Sequence, residues 1–275
     1  MVKYFAIIIL ILFVFKQANS ESAKNLTPVQ ICETVFGPDG YDYEQILPFC
    51  CEMHEVNFRD TSLGQMLPYD TKRNYKLLTE EDSMAVVALS LTYGEDFEDF
   101  YIFLKKLDFW HIDAIRTLSR LEYVKYTLYE LSHLTPDSAR KQIAEAGYTN
   151  FDKFVNRNKL LLASDKDIEE YFLENKSKFQ QIADYIENNG FAKSIESLND
   201  SNKDEKVVQM LDELLIDSIV SSEEGFFTGF MIGGILDNTA GYFYQPDSSK
   251  VPKMSKGLYI LIYPLGGGWY MYKTT

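Results

Sequence analysis

The sequence predicts a mainly α fold: a helical globular domain with a disulfide-stapled N-terminal helix pair and a C-terminal β-hairpin. Two observations predict the helices. Apolar residues recur every three or four positions along much of the chain, and Ser, Thr or Asn stands just before these segments, where it can cap a helix. A third observation predicts the hairpin, because the pattern becomes alternating after residue 257.

Residues 1–20 have the layout of a signal peptide. Lys3 precedes an apolar run of 11 residues from Phe5 to Phe15, and the polar stretch after it ends at Ser20. A membrane-spanning helix needs about 20 apolar residues, so cleavage near Ser20 is favoured over the alternative, an N-terminal membrane anchor. The sequence therefore predicts an exported protein, periplasmic or extracellular. Its mature part, residues 21–275, is expected to form a single mainly helical domain, with a subdivision near 198–205 as an option.

Acidic residues dominate the charge. The chain has 27 basic and 41 acidic residues, and removal of Lys3 and Lys16 with the signal peptide leaves 25 basic residues and a net charge of −16. Such a surface repels phosphate backbones and anionic headgroups, so we expect no nucleic-acid partner and no stable membrane insertion after cleavage. It attracts cationic surfaces, which makes a basic protein the expected partner. The alternative is that the charge only keeps an aromatic-rich chain soluble.

The chain has three cysteines, Cys32, Cys50 and Cys51. Thr27 opens a short helix that contains Cys32, and Pro48 opens the next one, which contains the other two. In an oxidising compartment thiols tend to pair. We therefore expect a disulfide from Cys32 to Cys50 or Cys51, which would close a loop of about 18 residues and stabilise the fold by about 3 kcal/mol.

One thiol remains after this pairing. His54 follows Cys50 and Cys51 by four and three residues, so a thiol and an imidazole could share a helix face and act as a nucleophile or as metal ligands. A cysteine protease or a zinc site needs further partners, and the other histidines, His111 and His133, have no paired spacing. The sequence therefore favours a buried or intermolecular thiol, and no catalytic residue, metal or cofactor is assigned.

Helices are predicted between residues 79 and 133. Thr79 and Asp82 form a loose capping box at the start of the first helix, and Gly94 ends it. Residues 95–107 begin acidic and end basic, the polarity that a helix prefers. Residues 109–133 predict a long helix with one core-facing stripe. The stripe consists of Ile112, Ile115, Leu118, Leu121, Val124, Leu128 and Leu131.

Three more helices are indicated by their caps. Thr135, Asn150 and Ser164 each stand just before an amphipathic segment, and Gly147 and Gly190 end the first and third of these segments. The third segment is the longest. Its inner face is expected to carry Ile168, Phe172, Phe179, Ile182 and Ile186.

The next part of the chain combines a polar tract and a glycine row. Residues 197–205 predict a flexible loop, and a helix is expected from about residue 204 to residue 220. Gly225, Gly229 and Gly233 then recur every fourth residue in an apolar segment of 12 residues that ends at Leu236. The segment predicts a buried core helix with close backbone packing. Membrane insertion is the alternative, but the segment is too short to span a bilayer.

The C-terminal residues 257–275 predict two strands joined at the three glycines 266–268. A lone hairpin is marginal in water, so it must lie on the helices or be completed by another strand. Its aromatic residues are a candidate binding face, and an aromatic lid over the core is the alternative. The residues of this candidate face are Tyr259, Tyr263, Trp269, Tyr270 and Tyr272.

Several catalytic motifs are missing from the sequence. It has no phosphate-binding glycine loop, no G-x-S-x-G, no H-E-x-x-H and no C-x-x-C. One E-x-x-H pair occurs, Glu130 and His133, whereas a di-iron bundle needs two such pairs and two further glutamates. Carboxylates of glycoside hydrolases have no spacing signature. A carboxylate-dependent hydrolase therefore stays open, with Glu130, His133 and His54 as candidate participants.

Charge, missing motifs and the aromatic hairpin together favour a non-enzymatic exported protein-binding factor, an inhibitor or immunity-like protein whose partner is a basic protein. Two alternatives stand beside it. The first is an extracytoplasmic carboxylate-dependent hydrolase, and the second is a secreted structural or adhesive protein.

Overall fold

The computed structural model describes residues 25–38, 49, 64, 67–221 and 227–275. Helices account for 43% of these residues and strands for 31%, and the strands form two antiparallel sheets of four and five strands. The predicted mainly α fold is therefore wrong, because the protein has a mixed α and β fold. The chain divides into two compact units, Met1–Arg116 and Thr117–Thr275.

The described part of the first unit contains one α-helix and a four-stranded meander. Helix α1 spans Pro28–Phe36. It begins as the sequence predicts, since the Thr27 side chain accepts a hydrogen bond from the N–H of Gln30, whose own side chain accepts one from the N–H of Thr27. The strands pair in chain order and are β1 Lys72–Glu80, β2 Met84–Tyr93, β3 Asp96–Lys106 and β4 Trp110–Arg116.

The helices predicted between residues 79 and 116 are wrong. Residues 85–89 of β2 and residues 101–104 of β3 are buried without interruption. An amphipathic helix would expose part of each run, whereas a strand that is covered on both faces buries every residue. A short run of apolar residues is compatible both with the 3.6-residue period of a helix and with the two-residue period of a strand. Gly94, expected to end a helix, instead lies in the turn between β2 and β3 with φ +61°.

The core of the first unit lies between α1 and one face of the sheet. Ile31, Cys32 and Val35 of α1 are fully buried there. The strand residues of this core alternate along the chain, as residues on one face of a sheet must. They include Ala85, Val87, Leu89 and Leu91 of β2, Ile102 and Leu104 of β3, and Ile112 of β4.

The predicted disulfide staple is also wrong, because Cys32 is a free cysteine. Its side chain lies on the inner face of α1 among apolar side chains. Burial there raises the pKa of the Cys32 thiol, so the reactive thiolate is disfavoured. The second helix of the predicted pair, with Cys50, Cys51 and His54, lies outside the described residues.

The second unit begins with helices. Their starts at Thr135, Asn150 and Ser164 are confirmed, because each side chain accepts a hydrogen bond from a backbone N–H three residues later. Gly147 and Gly190 follow two of the helices with φ of +93° and +76°. The helices are α2 Glu122–Ser132, α3 Pro136–Glu145, α4 Phe151–Leu161, α5 Asp165–Asn188, α6 Ile195–Asp200 and α7 Glu205–Glu213.

Two predictions after α5 are wrong. The polar tract 197–205 is not a loop, since α6 and a short 3-10 helix, Ser201–Lys203, occupy most of it. The helix predicted to reach residue 220 ends at Glu213, and Ser218–Val220 forms strand β5. The remaining strands are β6 Thr228–Ile235, β7 Asn238–Tyr244, β8 Tyr259–Gly266 and β9 Trp269–Thr274, and the sheet order is β5-β6-β7-β9-β8.

The glycine row is a strand and not the predicted core helix. Gly229 and Gly233 lie in β6, and a Cβ atom at Gly229 would stand 2.9 Å from the carbonyl oxygen of Val220 on the neighbouring strand. The backbones therefore pack closely at this glycine, as predicted, but the two backbones belong to the neighbouring strands β5 and β6 and not to two helices. The C-terminal hairpin is formed by β8 and β9, and β9 also pairs with β7. Within the described ranges, no helix has the length and apolar character needed to cross a bilayer.

Aromatic rings hold α5 against this sheet. Phe172 and Phe179 of α5 lie 5.1 and 5.0 Å, centroid to centroid, from the ring of Tyr242 in β7, and both also contact Trp269. The Tyr242 hydroxyl donates to the carbonyl oxygen of Ile168 at 2.7 Å. Because the tyrosine and tryptophan polar atoms find partners on α5, the rings can be buried at little cost. The partner of the Trp269 indole N–H is Gln180 Oε1, at 2.9 Å.

Candidate protein-binding face

The five hairpin residues predicted as a binding face do not lie on one exposed surface. Trp269 is buried in the ring cluster under α5. Tyr259 and Tyr272 are buried in a second cluster with Phe227 and Phe243, and half-buried Tyr270 packs against it. Tyr263 is also half-buried. The hairpin aromatics therefore serve mainly to cover the two faces of the sheet.

The residues suggested for a hydrolase are not gathered in a cleft. Glu130 and His133 are exposed at the C-terminal end of α2, where the imidazole Nδ1–H donates to the carbonyl oxygen of Tyr129 at 2.8 Å. His54 lies outside the described residues. In the part of the chain that the structure describes, no three His, Cys, Asp or Glu side chains are grouped so that they could hold a metal ion.

A second histidine contact lies in the first unit. His111 Nε2 is 3.0 Å from Asp108 Oδ1, and the imidazole stacks on Phe109 with a centroid distance of 4.2 Å. The hydrogen bond from His111 lowers the pKa of the Asp108 carboxyl. This pair links Asp108 of the β3–β4 turn to His111 of β4, so its geometry is accounted for by the turn itself.

Three tyrosines form an exposed aromatic surface on α2. Tyr123, Tyr126 and Tyr129 are 72%, 59% and 60% exposed. Their spacing of three residues places them along one side of the helix. We call this surface the tyrosine face, and it consists of these three side chains with His133, whose ring lies 4.3 Å from that of Tyr129.

The opposite side of α2 is packed, which fixes the direction of the tyrosines. Leu131 of α2 is buried in a cluster with Ala139 and Ile143 of α3, and Leu121, just before the helix, is also buried. Phe154 of α4 packs against the same cluster. Because this side of the helix packs against α3 and α4, the three tyrosines are left on the side that faces away from these helices.

Carboxylates border the tyrosine face. Glu130 is exposed one helical turn after Tyr126. Glu122 is also exposed and pairs with Lys125 on the same helix. Aromatic rings attract cations over their faces, and carboxylates accept hydrogen bonds from them. The surface is therefore suited to arginine or lysine side chains of a partner.

Sequence reasoning missed this face although its signal is present. The stripe Leu121, Val124, Leu128 and Leu131 was expected to face the core, and the tyrosine positions lie on the other side of that same helical pattern. A solvated helix face usually carries Lys, Glu or Gln, so three tyrosines there are a departure from the usual composition. The chain has 19 tyrosines, and the sequence alone does not separate the exposed tyrosines from the buried ones.

Comparison of the chain with protein-family models, with curated proteins and with solved structures finds no match. Function is therefore inferred from the chemistry of the tyrosine face itself.

Proposed function

We propose that the protein is an exported, non-enzymatic binding factor that docks a basic segment of another protein on the tyrosine face. The proposal is carried by one observation, the three exposed tyrosines on one side of α2. Tyrosine is enriched in interfaces because its ring covers a large area and loses little side-chain entropy on binding. An exposed contiguous aromatic surface of this kind is typical of an interaction site.

Charge selects the class of partner. The formal net charge of the chain is −14, so a cationic partner is attracted at long range and an anionic one is repelled. At short range, a partner arginine can stack on a tyrosine ring and donate to Glu130. A cation over an aromatic ring contributes about 0.5–1 kcal/mol at an exposed site, so three such contacts contribute roughly 1.5–3 kcal/mol.

The test is a binding titration of a fluorescently labelled peptide of alternating arginine and serine, followed by anisotropy. We expect binding that weakens as salt is added, because the attraction is electrostatic. The triple variant Tyr123→Gln, Tyr126→Gln, Tyr129→Gln should bind roughly 10- to 100-fold more weakly, which is the contribution of the three ring contacts expressed as an affinity ratio.

The matched control is Tyr69→Gln, since Tyr69 is 90% exposed but lies on the first unit. It should bind the arginine peptide like the native protein. A peptide of alternating glutamate and serine should not bind. Equal affinity of the native protein and the triple variant for the arginine peptide, or equal loss in the triple variant and in Tyr69→Gln, would overturn the proposal.

Export is a separate part of the proposal and rests on the layout of residues 1–20. Intact-mass measurement of the protein isolated from its native source should find a chain that begins near Glu21. A native mass that includes residues 1–20 would contradict export by cleavage, without affecting the peptide-binding result.

A further inference from the structure

Leu236 is an exposed leucine in a backbone conformation that leucine rarely adopts. It lies at the tip of the hairpin formed by β6 and β7, where Ile235 pairs with Asn238 and the loop consists of Leu236 and Asp237. Its φ is +56°, in the left-handed region, and its side chain is 80% exposed. Such a position normally carries glycine, asparagine or aspartate, because a bulky side chain is strained there.

The fold gains little from this leucine. A side chain that stays mostly exposed buries little apolar area, and the left-handed backbone costs stability. Leu215, the other non-glycine residue with positive φ in the described ranges, differs in both respects. It follows α7, where a left-handed residue is common, and its side chain is half-buried. A residue that is both strained and exposed points to a role in binding and not in folding.

The β6–β7 turn lies at the Tyr123 end of the tyrosine face. The backbone N–H of Arg120 donates to Asn238 Oδ1 at 3.4 Å, and the Arg120 guanidinium lies 3.7 Å from Asp237 Oδ1. Arg120 comes two residues before α2 begins and three residues before Tyr123. Leu236 is therefore an exposed apolar side chain next to the start of the helix that carries the three tyrosines.

Hydrogen bonds hold the backbone that presents Leu236. The Thr274 hydroxyl of β9 donates to the carbonyl oxygen of Asp237, and Asn238 Nδ2 donates to Asp237 Oδ1 at 3.1 Å. Asn238 is itself buried. Because the two residues that follow Leu236 are bound to neighbouring elements, the turn is preorganised, which lowers the entropic cost of a contact there.

Charge near the turn favours an apolar partner residue over another basic one. The nearby carboxylates Asp237 and Glu122 are already paired, with Arg120 and Lys125 respectively. A partner arginine gains little from paired carboxylates and is repelled by the two cations. An apolar side chain is not repelled, and it removes apolar surface from water when it covers Leu236.

We propose that Leu236 extends the tyrosine face as an apolar anchor, so that the protein prefers a basic segment with a large apolar side chain at one end. This inference rests on the proposed function, because the basic part of the segment binds the tyrosine face. The tyrosines with Glu130 select the charge of the segment, and Leu236 selects its apolar residue.

The test uses the labelled arginine–serine peptide and two derivatives that carry one tryptophan, at the N-terminal or at the C-terminal end. The native protein should bind at least one derivative about tenfold more tightly than the parent peptide, the ratio expected when a leucine side chain becomes buried. In Leu236→Ala this preference should fall below about twofold. Leu236→Gly should lose the preference equally, and its urea midpoint should lie above that of Leu236→Ala, because glycine adopts a positive φ without strain.

The matched control is Leu173→Ala, since Leu173 is 50% exposed and lies on α5 of the same unit. It should keep the tenfold preference. Equal affinities of the native protein for the three peptides, a preference that survives in Leu236→Ala, or a preference lost in Leu173→Ala would overturn the proposal.

Two measurements separate this proposal from its alternatives. Light scattering without peptide tests a second copy of the chain as the occupant, and a native dimer that Leu236→Ala dissociates would overturn the proposal. The parent peptide tests the proposed function by itself. If the parent peptide binds the native protein and the tyrosine triple variant equally, the proposed function fails, whereas a missing tryptophan preference alone contradicts only the role of Leu236.

Discussion

An ion pair between Lys273 and Asp165 is expected to be a strong determinant of stability in the second unit. The ammonium nitrogen lies 2.6 Å from Asp165 Oδ1, and the two side chains are only 6% and 21% exposed. Asp165 is the first residue of α5, so the pair joins this helix to β9. We consider the replacement Asp165→Asn, which keeps the shape of the side chain and removes its charge.

The expected loss follows from burial. Removing one partner of a fully buried pair costs about 3–5 kcal/mol, because the other charge is left without its counter-charge in a poorly solvated place. Asp165 retains some contact with water, so we expect a smaller loss than for a fully buried pair, about 2–3 kcal/mol. The double variant Asp165→Asn, Lys273→Met should recover most of the loss, since it also removes the buried ammonium group.

A matched control lies on the same helix. Lys166 and Glu170 are 3.4 Å apart and their side chains are 79% and 55% exposed. Glu170→Gln should therefore cost only about 0.3–0.5 kcal/mol. The contrast between the two variants isolates the contribution of burial, because each replaces one carboxylate of a lysine pair on α5.

Urea unfolding measures the effect without added salt. The chain has two tryptophans, and in a Trp110→Phe background the fluorescence of Trp269 reports on the second unit alone. With a urea dependence of about 2 kcal/mol per molar, the midpoint of Asp165→Asn should fall by roughly 1 M. A midpoint no lower than that of Glu170→Gln, or a double variant no more stable than Asp165→Asn, would refute this reasoning.

Three further predictions concern a thiol, a glycine and a tyrosine. With the other two cysteines replaced by serine, Cys32 should react with a thiol reagent only after urea unfolding, because burial raises its pKa; rapid labelling of the folded protein would show that the thiol is accessible. Gly241→Ala should lower the free energy of unfolding, measured in urea, by about 1–3 kcal/mol, since the new Cβ would collide with a carbonyl oxygen of the neighbouring strand. Gly257→Ala is the control and should lower it far less, because the space around Gly257 is open. Burial raises the pKa of Tyr171 to about 12, so the stability that its neutral hydroxyl contributes should be complete below pH 10 and lost as the pH rises toward 12. In Tyr171→Phe the free energy of unfolding should therefore decline less over this pH range. An identical pH profile in the variant and the native protein would contradict this assignment.

Local signals predicted the helices of the second unit well. Thr135, Asn150 and Ser164 were identified as caps from their positions before amphipathic segments, and each makes the expected hydrogen bond. Such caps work between residues three positions apart, so the chemistry is contained in the local sequence. Gly147 and Gly190 were identified for the same reason, because the left-handed backbone after a helix is a local requirement.

The strands of the first unit could not be separated from helices by the same reasoning. Along β2 and β3, neighbouring residues are buried on opposite faces of the sheet, so the apolar run has no gap that would reveal a period of two. What covers each face is a matter of contacts between distant parts of the chain. The glycine row was predicted as a helix for a similar reason. Glycines let a neighbouring backbone come close both in a helix and in a strand, and here the segment forms the strand β6.

The sequence by itself determined the acidic charge, the signal-peptide pattern, the positions of the helix caps and the C-terminal hairpin, all of which depend on composition or on residues close together. Only the tertiary structure decided which tyrosines stay exposed, that the Cys32 thiol is enclosed and unpaired, and that the exposed Leu236 lies next to the start of α2. The physical reason is that burial is a property of packing: Tyr126 and Tyr272 have identical side chains, and only the elements packed around each ring make one a candidate contact surface and the other part of the core.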